Sequence, residues 1–63
     1  MTKKQFREAL DALGVHNQAE AAALLGVTLR TVNGYANNAD IPVVVERFLA
    51  LLIATKTPIQ RYL

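Results

Sequence analysis

Three polar side chains recur along one stretch of the chain at spacings that suit recognition of a ligand. Arg30, Asn33 and Asn37 lie three and four residues apart, so on a helix they share one face. A guanidinium can donate two hydrogen bonds to guanine O6 and N7, and a carboxamide can pair with adenine N6 and N7. This face therefore has the chemistry to read base pairs, although the same residues can also form an ordinary solvated helix surface.

The sequence gives little indication of a catalytic site or a metal site. The five acidic residues are scattered along the chain, whereas general acid–base catalysis needs paired groups in a pocket. His16 is the only histidine and cysteine is absent, so the usual transition-metal ligands are missing. We expect no enzymatic activity, no cofactor, no metal and no small-molecule ligand, and we interpret His16 as a loop residue.

The composition indicates one small domain with more apolar surface than its core requires. Hydrophobic residues make up 52% of 63 residues, yet a chain of this size buries only about 60% of its surface on folding. The formal charge of +2 is compatible with nucleic acid without demonstrating it. The apolar segment 41–54 is shorter than the roughly 20 residues of a membrane span, and two charges interrupt it, so we expect no membrane association.

Capping residues and glycines divide the chain into helices. Thr2 with Gln5 and Asn17 with Glu20 each have the spacing of a capping box, which starts a helix. Gly14 ends the first helix. Thr28 is the expected N-cap of a third helix at 28–37, a fourth is expected at 42–55 after a proline start, and a short helical turn is expected at 58–63.

Gly26 separates the second and third helices and permits a steep crossing between them. A turn of three to four residues containing glycine is typical of a helix-turn-helix. Ala22 is small enough to lie at the crossing, and Val32 and Tyr35 can pack back against the core. The opposite face of the third helix is then free and polar.

The segment Gln18 to Tyr35 resembles the helix-turn-helix of the phage repressor and Cro family, which is also called XRE-like. The matched positions are Gln18, Ala22, Gly26, Val27, Thr28, Val32 and Tyr35. The resemblance extends over roughly residues 2 to 55 and includes the segment Asp40-Ile41-Pro42. It implies an all-α, lambda-repressor-like fold, in which a compact bundle of four to five short helices forms a single domain over residues 1–63.

The resemblance also implies roles for individual residues. Base contacts are expected from Thr28, Leu29, Arg30, Asn33, Gly34 and Asn37. Phosphate contacts are expected from Asn17, Gln18, Thr31, Lys3, Lys4 and Arg7. Gln18 is also expected to brace a recognition side chain. Thr31 can equally face the second helix, and the three cations of the first helix can be an ordinary surface.

The fourth helix is apolar nearly all round and must be buried on more than one side. We expect a homodimer interface formed by Val44, Arg47, Leu51, Ala54, Ile59, Tyr62 and Leu63. The alternative is an unusually apolar monomer surface.

Together these features favour a sequence-specific regulator, a repressor, that binds an inverted repeat in double-stranded DNA with helix 28–37 in the major groove. It would work in the cytoplasm of a prokaryotic cell or a phage-infected host, associated with the nucleoid. Leu29, Gly34 and the low net charge keep an alternative open, a helix-turn-helix module that binds protein rather than DNA.

Overall fold

The computed structural model describes residues 1–37 and 40–63 of the chain, and in these residues it is all-helical. The elements are α1 (Lys3–Ala12), α2 (Gln18–Leu25), α3 (Leu29–Asn37), α4 (Val43–Thr55) and a terminal 3₁₀ turn (Ile59–Arg61). The expected fold class, a small bundle of short helices, is confirmed. Helix α4 begins one residue later than expected because Pro42 serves as its N-cap.

The start of α1 follows the expected capping box. The amide of Gln5 donates to Thr2 Oγ1 at 3.1 Å, and the amide of Thr2 donates to Gln5 Oε1 at 2.9 Å. These bonds satisfy two backbone donors that have no partner within the helix. The helix therefore begins where its local sequence requires.

The start of α2 differs from the expected capping box in one bond. The amide of Glu20 donates to Asn17 Oδ1 at 2.8 Å, as expected of an N-cap. The Glu20 carboxylate, however, accepts from the amide of His16 at 3.1 Å, one residue before the N-cap. The prediction was wrong in this detail, because the carboxylate reaches past Asn17 and orders the loop that precedes the helix.

The core forms where α1 packs against both α3 and α4. Phe6, Val32, Leu49 and Leu52 are the largest side chains that are fully enclosed. The ring of Phe6 meets that of Tyr35 edge-on, with centroids 5.8 Å apart and an interplanar angle of 78°. Such pairs contribute about 0.5–1.5 kcal/mol beyond the area they bury. Phe6 thereby fixes the inner side of α3 to the centre of the molecule.

The end of the chain folds back onto this core. Ile59 is only 5% exposed and belongs to the central cluster. The expectation that Ile59 lies in a dimer interface is therefore wrong, because its side chain is already enclosed by its own chain. Tyr62 remains exposed, and its ring packs edge-on against Phe48 with centroids 5.4 Å apart.

None of the helices in residues 1–37 and 40–63 combines the length and apolar character that crossing a bilayer requires.

The turn between α2 and α3 is built on a left-handed residue. Gly26 has φ 69° and ψ 30°, and its amide donates to the carbonyl of Ala22. The amide of Val27 donates to the same carbonyl at 3.1 Å. A side chain at Gly26 would meet no atom within 4 Å, so the constraint at this position is the backbone conformation rather than space.

We therefore expect Gly26→Ala to lower the free energy of unfolding by about 1–2 kcal/mol, the cost of a Cβ in left-handed backbone. For a domain of this size, each kcal/mol shifts the thermal midpoint by about 4–8 °C. Thermal denaturation followed by circular dichroism measures the shift. Gly26→Asn is the control and should lose less, because asparagine tolerates this conformation better. Equal losses in both variants would contradict the backbone argument.

Candidate nucleic-acid interface

Helix α3 divides into a buried face and an exposed one, as the sequence indicates. Val32 is 0% exposed and Ala36 is also buried. Arg30, Asn33 and Asn37 are all exposed on the other side. The polar side chains are therefore presented to the surroundings, whereas the apolar ones hold the helix in place.

The first turn of α3 is held by two threonines. The amide of Thr31 donates to Thr28 Oγ1 at 3.2 Å, which makes Thr28 the N-cap. The two hydroxyl oxygens are also 2.9 Å apart and share a hydrogen bond. Thr31 is half-buried, so its hydroxyl has a structural role beside the phosphate contact expected from the resemblance.

Leu29 and Gly34 complete the expected recognition surface. Leu29 is 53% exposed, a large apolar side chain at the start of α3 with little cover. Gly34 is half-buried within the helix. A glycine in a helix interior costs about 1 kcal/mol relative to alanine.

A hydrogen-bond network joins α2 to the exposed face of α3. The Nδ2 of Asn37 donates to the backbone carbonyl of Asn33 at 2.8 Å and to Asn33 Oδ1 at 2.8 Å. Gln18 Nε2 lies 3.5 Å from the same Oδ1, a long hydrogen bond. Gln18 thus contacts a side chain on the exposed face of α3, and its role in recognition stays a prediction. The pairing of Asn33 with Asn37 follows from their i, i+4 spacing, but we did not predict it from the sequence.

Arg7 makes a contact within the chain that was not expected from the sequence. Its Nη2 donates to the carbonyl of Ala36 at 2.7 Å and so bonds the last turn of α3. A cation is favourable at this end of a helix because the unpaired carbonyls carry partial negative charge. Nothing in the local sequence reveals this contact, since the two residues are 29 positions apart. A structural bond therefore occupies part of the guanidinium that was expected to contact phosphate.

The other expected phosphate ligands lie on the surface. Lys3 and Lys4 are exposed and form no salt bridge with any residue in the described part of the chain. Asn17 and Gln18 are exposed at the start of α2, although the Asn17 oxygen is used by the helix cap. His16 is exposed beside them. Within residues 1–37 and 40–63, no three His, Asp or Glu side chains gather as a metal site would require.

The outward side of α4 is an apolar surface. Val44 is 78% exposed and Leu51 is 59% exposed, and Arg47 and Ala54 are exposed between and beyond them. Spacings of three, four and three residues place these four side chains on one face. Tyr62 and Leu63 are also exposed, and Tyr62 reaches this surface through Phe48. We call these six residues the α4 face: Val44, Arg47, Leu51, Ala54, Tyr62 and Leu63.

Comparisons of the chain with protein-family models, with curated proteins and with solved structures find no match.

The bond from Arg7 to the end of α3 predicts a stability effect. We expect Arg7→Ala to lower the free energy of unfolding by about 1 kcal/mol, because a charged donor to a helix carbonyl is lost at a partly solvated site. Lys4→Ala removes a charge from the same helix without such a bond and should stay within about 0.5 kcal/mol of the parent. Urea denaturation of both variants measures the difference. Equal stability of the two would exclude a structural role for Arg7.

Proposed function

We propose that this protein binds double-stranded DNA by placing α3 in the major groove and acts as a sequence-specific transcriptional repressor. The supporting observation is the two-sided character of α3: its apolar residues are enclosed and its polar residues project outward. The groove of B-DNA is about 12 Å wide and admits an α-helix. Nine residues rising about 1.5 Å each give a helix of suitable length.

The charges and donors around α3 suit contact with the phosphate backbone. Lys3, Lys4 and Arg30 are exposed cations, and the chain carries a formal charge of +2. The start of α2 presents backbone donors and the positive end of the helix dipole. Phosphate contacts fix the position of a protein on the duplex, and base contacts supply the specificity. The proposal therefore assigns positioning on the backbone to Lys3 and Lys4 and base readout to Arg30 and Asn33.

The α4 face supports a second part of the proposal, that the protein acts as a homodimer. Stable interfaces bury about 800 Å² on each partner, close to a fifth of the 4319 Å² accessible on this chain. A surface of that size, centred on Val44 and Leu51, would remove the exposed apolar side chains from water. Two-fold related α3 helices must lie about 34 Å apart to enter successive grooves. The longest dimension of one chain is 28 Å, so two chains side by side can place their α3 helices this far apart.

Selection of bound duplexes from a random pool tests the proposal directly. We expect an inverted repeat whose half-sites are centred one helical turn apart. Arg30→Ala should relax the preference at one base pair in each half-site, with a loss of about 1–3 kcal/mol on the parent sequence. Affinity should also fall steeply with salt, because phosphate contacts release counterions.

Lys4→Ala is the matched control for Arg30→Ala, since it removes one exposed charge away from the recognition face. It should weaken binding to all sequences alike and reduce the salt slope by about one. Failure to enrich any duplex would exclude sequence-specific DNA binding. Enrichment of a sequence without two-fold symmetry would exclude the dimeric arrangement.

Leu51→Glu tests the homodimer. A carboxylate in the centre of the α4 face would have to lose its hydration on association, so we expect sedimentation to shift from dimer to monomer. DNA affinity should fall with it, because one half-site alone holds a monomer. Ala23→Glu adds the same charge to an exposed position of α2 and should leave the dimer intact. An unchanged sedimentation profile for Leu51→Glu would refute this interface.

One observation favours a second candidate, a protein-interaction module without DNA binding. Leu29 is 53% exposed at the start of α3, where a groove reader commonly has a polar side chain. On DNA this side chain can contact a thymine methyl group. In a protein complex it would instead enter an apolar pocket of the partner. The duplex selection separates the two, since an interaction module enriches no sequence.

A further inference from the structure

The orientation of the Asn33 amide is set by a backbone carbonyl. One terminal atom of the Asn37 side chain lies 2.8 Å from the carbonyl oxygen of Asn33. A carbonyl oxygen only accepts hydrogen bonds, so this atom of Asn37 must be the nitrogen. The same nitrogen lies 2.8 Å from the end of the Asn33 side chain. Because an amide nitrogen only donates, Asn33 must turn its oxygen towards Asn37.

A second donor from α2 reinforces this orientation. Gln18 Nε2 lies 3.5 Å from the same Asn33 oxygen. An amide oxygen has two lone pairs, and here each faces an amide nitrogen of the protein itself. The Asn33 NH₂ group has no hydrogen-bond partner among the residues that the structure describes, and it lies on the exposed face of α3. In the free protein, Asn33 is therefore ready to donate but not to accept.

The usual pairing of asparagine with adenine needs both functions. The amide must accept from adenine N6 while it donates to N7. For Asn33 to do this, its oxygen would have to give up the bond to Asn37. Guanine makes no such demand, because its O6 and N7 are both acceptors. An amide that offers only its NH₂ group can donate to both O6 and N7 of guanine. On adenine it can donate only to N7, and the N6 amino group next to it is itself a donor.

Building on the DNA-binding function proposed above, we propose that Asn33 selects guanine rather than adenine, and that Asn37 sets this preference by occupying the Asn33 oxygen. Asn37 is then a positioning residue, since it determines specificity through Asn33. The arrangement revises the adenine pairing expected from residue chemistry alone. Because Asn37 occupies the Asn33 oxygen, the Asn33 side chain presents only its NH₂ donor. A single asparagine would present both a donor and an acceptor.

The first step of the test locates the base pair that Asn33 contacts. Duplex selection with the parent protein gives the operator, and selection with Asn33→Ala identifies the pair at which preference is lost. We expect guanine there, bound about tenfold more tightly than adenine, which lies at the lower end of the discrimination by a specific base contact. Replacing this guanine by 7-deazaguanine, which lacks the N7 acceptor, should weaken binding. Replacing it by hypoxanthine is the matched control, since hypoxanthine keeps O6 and N7, and should leave affinity unchanged.

The decisive variant is Asn37→Ala, which removes the 2.8 Å hydrogen bond to the Asn33 oxygen and leaves only the long contact from Gln18. We expect the preference at this one pair to move from guanine towards adenine, whereas a merely structural role would lower affinity for every sequence alike. Asn37→Ser, whose hydroxyl is too short to reach the side-chain oxygen of Asn33, should give the same change if the alanine variant does not fold. Circular dichroism checks that the helices are retained.

The possible failures are distinguishable. Adenine at the pair read by Asn33 in the parent selection would overturn this inference and leave DNA binding intact. An unchanged preference in Asn37→Ala and Asn37→Ser would likewise overturn it. No enriched duplex at all would overturn the proposed function itself.

Discussion

The left-handed turn at Gly26 is the constraint on which the rest of the molecule depends. At φ 69° the chain leaves α2 and enters α3 in another direction after only three residues. Any residue with a Cβ is disfavoured there, and a helix that ran straight on would leave Val32 in water. With the turn in place, Val32 and Ala36 are buried in the core. The polar side chains on the opposite face of α3 are therefore exposed.

Contacts at both ends of α3 then hold its direction. Thr28 and Thr31 close its first turn, and Arg7 from α1 bonds the carbonyl of Ala36 near its last turn. Between them, the Phe6 ring packs against Tyr35. Helix α1 therefore holds the last turn of α3 through two neighbouring contacts. For the proposed DNA contact such support would be favourable, because rigid side chains lose less entropy on binding.

Hydrogen bonds among polar side chains also make the exposed face of α3 more rigid. Asn33 and Asn37 are exposed, and free side chains at such positions sample many rotamers. Their mutual bond, with Gln18 alongside, restricts that freedom before any ligand arrives. It also decides which atoms remain available. The chemistry that such a surface offers thus depends on the bonds within it as well as on its residue types.

Local signals in the sequence determined most of the helical framework. Capping residues set the starts of α1, α2 and α3. Gly26 ended α2 where expected. The helical period of 3.6 residues placed Val32 on a different face from Arg30 and Asn33. These features could be predicted because each depends on residues within four positions of one another. The tertiary structure decided the contacts between distant residues: the use of Arg7 at Ala36, the burial of Ile59 and the reach of Gln18 to Asn33. No local pattern encodes them, because they arise only when packing brings separate helices together.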